Sequence, residues 1–103
     1  MIYKRKMTPA AAADLEAIYD YIAVTLEAPG AAHNLMVEID DSIKHACKNP
    51  YMYRLSRSEV LRQRGYRCIV INNYVTLYLV DETNQRIIIA RVFYGAMDYE
   101  KYV

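Results

Sequence analysis

Near residue 65 the apolar residues change their period, and no other feature of this 103-residue chain constrains its fold as strongly. Between Thr8 and Pro50 they recur every three to four positions. Leu15, Ile18, Tyr19, Ile22 and Leu26 make one stripe, with Asp14, Glu16, Asp20 and Glu27 off it. Ala32, Leu35, Met36, Ile39, Ile43, Ala46 and Cys47 make a second. Such spacing buries one side of a helix and leaves the other wet. Thr8 and Pro9 suit a helix start, Pro29-Gly30 interrupts, and Asn49-Pro50 ends the second helix. Two amphipathic helices with a short break between them predict an antiparallel hairpin.

After Arg67 the pattern belongs to strands. RCIVI (67–71), YVTLYLV (74–80) and RIIIARVF (86–93) are short runs rich in β-branched and aromatic residues. Asn72-Asn73 tolerates the positive φ that a tight hairpin requires, and 81–85 supplies a second turn. The three runs predict a meander packed on the helix hairpin, with residues 2–7 adding an edge strand. The order is β-α-α-β-β-β, an α+β fold in one domain spanning 1–103.

Charge is distributed unevenly. The formal net charge is only +1. Residues 8–50 nevertheless carry seven acids against two bases, and Lys4, Arg5 and Lys6 cluster at the start. Between the helices and the meander, Arg54, Arg57, Arg62, Arg64 and Arg67 face a single acid, Glu59. An acidic helical part and a basic remainder are expected, and the basic part suits a polyanion or an acidic protein partner. No apolar run approaches the ~18 residues of a membrane span, and no signal sequence is evident. The expectation is a soluble cytoplasmic protein with two reduced cysteines, Cys47 and Cys68.

The chain offers little to conventional catalysis. Its two histidines, His33 and His45, both fall in the helix hairpin. Ser42, Ser56 and Ser58 lie outside any nucleophile motif, and Gly30, Gly65 and Gly95 make no phosphate loop. No metal site and no cofactor are expected. What remains is arginine and tyrosine. Arginine forks hold phosphates and stabilise charge developing in phosphoryl transfer, and a tyrosine hydroxyl passes a proton if its pKa is lowered. RNA carries its own nucleophile in the 2′-hydroxyl. Arg67, Arg91 and Tyr94 fall on the first and third strands of the meander, so they are expected to meet on one exposed sheet face. Arg91 breaks an apolar run and is expected either to face solvent there or to pair with a carboxylate.

The segments DLEAIYDYIA, PGAAHNLMVEIDDSI, NPYMYRL, RGYRCIVINNYVTLYLVD and IIIARVFYGAMDYE occur in this order along the chain. Together they resemble the RelE/ParE family of toxins from type II toxin–antitoxin (plasmid stabilisation) modules. The resemblance implies an α-helical hairpin packed on a twisted antiparallel sheet, and a growth-inhibiting bacterial protein neutralised by a cognate antitoxin. It implies a homodimer or a hetero-oligomer with that antitoxin. It implies one of two targets: mRNA on the ribosome, cut without a metal, or DNA gyrase, inhibited without hydrolysis. An inactive, antitoxin-binding member is a third reading. For cleavage the resemblance nominates Arg67, Arg91 and Tyr94. Arg54, Arg57, Arg62 and Arg64 are left for antitoxin or nucleic acid. The nuclease pattern is incomplete, because Val75 stands where an Arg is frequent. Ala96 and Met97 likewise replace two arginines between Gly95 and Asp98, and Tyr94 occupies a position often filled by His.

Overall fold

A computed structural model describes residues 2–95 of the chain. The first strand, β1 (Lys4–Met7), leads into α1 (Pro9–Asp20). Thr8 makes the junction. Its Oγ1 accepts the Ala11 N–H at 3.0 Å, capping the helix, and donates to the Ala90 carbonyl at 2.7 Å. After Asp20 the helix widens into a π-helical turn, Tyr21–Thr25. There the Leu26 N–H donates to the Tyr21 carbonyl five residues back, at 3.0 Å. Glu27, at φ 52°, then stops it.

Pro29 and Gly30 were expected to be the break between the helices. They are instead the first two residues of α2 (Pro29–Lys48). A proline at the first helical position has no N–H left unsatisfied there, so it opens this helix as Pro9 opens the first. The break is Leu26–Ala28.

A short helix, α3 (Glu59–Gln63), precedes β2 (Arg67–Ile71), β3 (Tyr74–Asp81) and β4 (Arg86–Tyr94). The expected meander is present, and Asn72 and Asn73 carry positive φ in its turn. The sheet order is β1-β4-β3-β2, with β1 the expected edge strand, running parallel to β4. The last strand in sequence is therefore an inner strand of the sheet.

The inner sheet face packs on the helices. Leu35, Ile39, Ile43 and Ala46 from α2 meet Ile69, Tyr78, Ile87, Ile89 and Val92 from the sheet, with Ala11 and Ile22 from the first helical segment. Burial of this set supplies the main stabilisation, at roughly 25 cal/mol per Å2 of apolar surface. The outer face has its own small core. Leu61 of α3, fully buried, covers Cys68, Val75, Leu77 and Phe93. To reach it, the chain crosses the margin of β2. Leu55 bridges Arg67, and the Ser56 N–H donates to the Tyr66 carbonyl at 2.8 Å. The arginine-rich segment thus carries the chain from the helix side of the sheet to the opposite side.

Candidate functional groove

β4 outruns its edge partner. β1 stops at Met7, opposite Ile89, while β4 continues to Tyr94. Beyond Ile89 a bulge breaks the β3–β4 register: Tyr78 faces Ile89 but Leu77 faces Arg91, leaving Ala90 as the extra residue. The bulge reverses the alternation, so Val92 rather than Arg91 points into the helix-side core. Arg91 comes to the free margin of β4.

There the side chain meets α1. Asp14 Oδ2 accepts from Arg91 Nε at 2.7 Å, and Oδ1 accepts from Arg91 Nη2 at 2.9 Å. Asp14 Oδ2 also accepts the Val92 backbone N–H at 2.9 Å. Thr8 and Asp14 therefore satisfy backbone groups that a longer β1 would have satisfied. The Arg91 guanidinium lies over the Phe93 ring, 4.7 Å from its centroid. Of the two outcomes expected for Arg91, pairing with a carboxylate is the one realised.

Next to this pair, α1 and the margin of β4 enclose an apolar groove of about 700 Å3. Its walls include Ile18, Tyr21, Leu26, Tyr74, Val92 and Tyr94, with Asp14 and Arg91 at its polar end. The π-helical turn shapes one wall, since Tyr21 opens it and Leu26 follows directly after it. Tyr94 is exposed and packs edge-on against Tyr74, with ring centroids 5.6 Å apart. Burial pushes the Tyr74 hydroxyl above its ordinary pKa, and the neighbouring Tyr21 and Tyr94 push it the same way. A proton-accepting tyrosine needs the opposite shift.

Arg67 is elsewhere. It pairs with Tyr78 across β2 and β3, whereas Tyr94 pairs with Tyr74. Four residues of strand separate the two positions, roughly 14 Å along the sheet. Arg91 and Tyr94 share the groove, but Arg67 does not join them, so the expected gathering of all three on one exposed face does not occur. Arg67 instead donates from Nη1 to the Tyr53 carbonyl at 2.8 Å and lies 4.9 Å from the Tyr51 ring centroid. Tyr51 and Tyr3 both donate to Glu82. These contacts fasten the 50–55 loop and the N-terminal segment to the end of the sheet away from the groove.

Arg54, Arg57, Arg62 and Arg64 are exposed, on or beside the segment that carries α3. Arg54, Arg57 and Arg62 have no ion-pair partner among the described residues. The acid of the helix hairpin that an arginine does engage from the second half of the chain is Asp14, and its partner is Arg91. Ala96, Met97 and Asp98, which bear on the nuclease pattern, lie outside the described residues. No cluster of three metal-ligating side chains occurs among those described. No helix among them is long and apolar enough to cross a membrane.

Sequence reasoning missed Asp14, Tyr21, Leu26 and Tyr74 as groove residues. The signal present was partial: Tyr21 lies off the apolar stripe of the first helix and is apolar enough to bury. What hid the groove was the Ala90 bulge, which no residue type announces.

A helix hairpin on a four-stranded sheet of this order defines a small α+β toxin of the RelE/ParE fold. A family model described as the ParE toxin of the type II toxin–antitoxin system, parDE, matches residues 6–99, and the chain belongs to that family. Among solved structures it is similar to a chain of the chromosomal ParDE toxin–antitoxin system from P. aeruginosa. The identity is 28%, the TM-score is 0.70, and the match covers 88% of this chain and 94% of that one. It is also similar in fold to a chain of the RelBE2 toxin–antitoxin complex from Mycobacterium tuberculosis. There the identity is 18% and the TM-score 0.62, over 91% of this chain and 99% of that one. No match emerged among curated proteins.

Proposed function

We propose that this chain is a growth-inhibiting toxin of the bacterial cytoplasm that acts by binding, with DNA gyrase as its target, and that a cognate antitoxin holds it inactive. The observation carrying this reading is the bidentate closure of Arg91 on Asp14. Arg91 is the one cationic side chain among the described residues that line the groove. With its fork occupied by a carboxylate, it is not presented to a phosphate. Arg67 does not line the groove and is engaged by the Tyr53 carbonyl and the Tyr51 ring, and Tyr74 is shifted away from proton acceptance. An aromatic and aliphatic groove with one neutralised ion pair suits protein contact better than phosphoryl transfer. The ParE family model and the likeness to chains of two toxin–antitoxin systems support the antitoxin partner.

The competing reading, mRNA cleavage on the ribosome through Arg67, Arg91 and Tyr94, requires Asp14 to release Arg91. One experiment separates the two. Purified gyrase is assayed for supercoiling with excess toxin, and cells induced for the toxin alone are pulse-labelled for protein synthesis. Loss of supercoiling with continued labelling is expected, and Tyr94→Phe should keep the effect. Arrested labelling with intact supercoiling overturns the proposal in favour of mRNA cleavage. Unchanged growth on induction overturns both in favour of an inactive member.

A further inference from the structure

Two basic segments far apart in sequence lie on one face of the sheet. In β1, Arg5 and Met7 pair with Ile87 and Ile89, which belong to the helix-side core, and Arg5 reaches Asp40 on α2. The alternate residues, Lys4 and Lys6, pair with Arg86 and Ile88 and so project from the outer face. That is the face on which Leu61 seats α3, with Arg57, Arg62 and Arg64 exposed around it. Gly65 lies beside the Leu79 side chain, which places the end of α3 on the same side. The acids there are few. Asp81 is held by Arg86 and Asn84, and Glu59 accepts from Gln63. The acids of α1 and α2 lie across the sheet.

We propose that the outer face of the sheet is a docking surface for the phosphate backbone of double-stranded DNA. The cations form two rows, one on β1 and one around α3. Two to three strand spacings separate them, about 10 to 14 Å. That matches the roughly 12 Å width of the B-DNA major groove, so the rows can meet phosphates on both of its sides, whereas the deep, narrow major groove of an RNA duplex does not offer them this spacing. An extended acidic peptide presents one line of carboxylates and meets one row. The half-buried Leu79 and Ile88 between the rows offer no hydrogen-bonding group to a base, so the surface reads charge rather than sequence. This inference does not rest on gyrase being the target, since none of the cations it invokes lines the groove.

The test is fluorescence anisotropy of the purified full-length chain with a labelled 20-base-pair DNA duplex, the matching RNA duplex, and an oligoglutamate peptide. Binding of a duplex is expected to weaken on the order of a hundredfold between about 50 and about 200 mM salt, with a log–log slope of roughly −4. Lys4→Ser with Lys6→Ser should reduce that slope by about two, one for each lost phosphate contact. Arg57→Ser with Arg62→Ser should do the same, whereas Lys44→Ser with Lys48→Ser on α2 should not. Tighter binding of the DNA duplex than of the RNA duplex and the peptide supports the proposal. Absence of DNA binding at low salt overturns it, as does tighter binding of the RNA duplex or of oligoglutamate. Equal losses from the α2 pair also overturn it, because they mean the charge effect has no location. Circular dichroism of each variant confirms that the fold is retained.

Discussion

Asp14 accepts three hydrogen bonds with one carboxylate and joins α1 to the margin of β4. Asp14→Ala leaves a guanidinium and a backbone N–H without that acceptor in a partly enclosed place. The expected loss is about 2 to 4 kcal/mol in urea unfolding. It falls below the range for a fully enclosed pair because the two side chains are 22% and 14% exposed. Tyr78 gives a second expectation, in alkali. It is fully buried and donates to the Pro50 carbonyl at 2.7 Å, and burial pushes its pKa up to about 12. The folded state therefore favours the neutral phenol. Stability is intact below the unfolded value near 10 and falls as pH rises from there towards 12. Tyr78→Phe should show a shallower alkaline loss in denaturation midpoint, from a lower starting stability because Pro50 O loses its donor. The sequence foretold that Arg91 would find solvent or a carboxylate, since a charge inside IIIARVF allows little else. It gave no means of choosing Asp14, because that choice depends on where β1 ends and on the bulge at Ala90.

The elements that were legible are those long enough to show a period. α2 spans 20 residues and declares its buried side, while β4 spans nine and reads clearly as a strand although it is apolar on both faces. α3 has five residues, less than two turns, so no repeat exists to read. Its one local signal is Ser58, whose side chain accepts from the Leu61 N–H at 3.4 Å in the role of an N-cap. Yet α3 supplies the residue that closes the outer core. Leu61→Ala should cost about 3 kcal/mol in denaturant unfolding, as for a fully buried leucine. Val60→Ala, beside it but exposed, should change stability by less than about 0.5 kcal/mol. Equal effects would mean that α3 lies on the sheet without anchoring there. The π-helical turn was illegible for a related reason. Its residues YIAVT are compatible with an α-helix, and the turn packs chiefly on α2, a partner that no local pattern reveals.

At the scale of the whole molecule the sequence showed that acids and bases are segregated along the chain. It did not show that the sheet itself is the partition. That became clear from the parallel pairing of β1 with β4, which turns Lys4 and Lys6 to the side where α3 sits. A run of alternating residues such as KRKM has two sides, and nothing within it says which is the helix side. The same pairing has a consequence for how the molecule comes into being. Of the described strands β4 is synthesised last, yet it is the strand that holds β1 on one side and β3 on the other. Until it is made, β1 has no neighbour, the groove lacks a wall, and Ile87, Ile89 and Val92 are missing from the helix-side core. A chain cut short before β4 keeps the β2–β3 pairing but can neither hold β1 nor enclose the groove. The surface that a partner would grasp at the groove therefore exists only once β4 has been added.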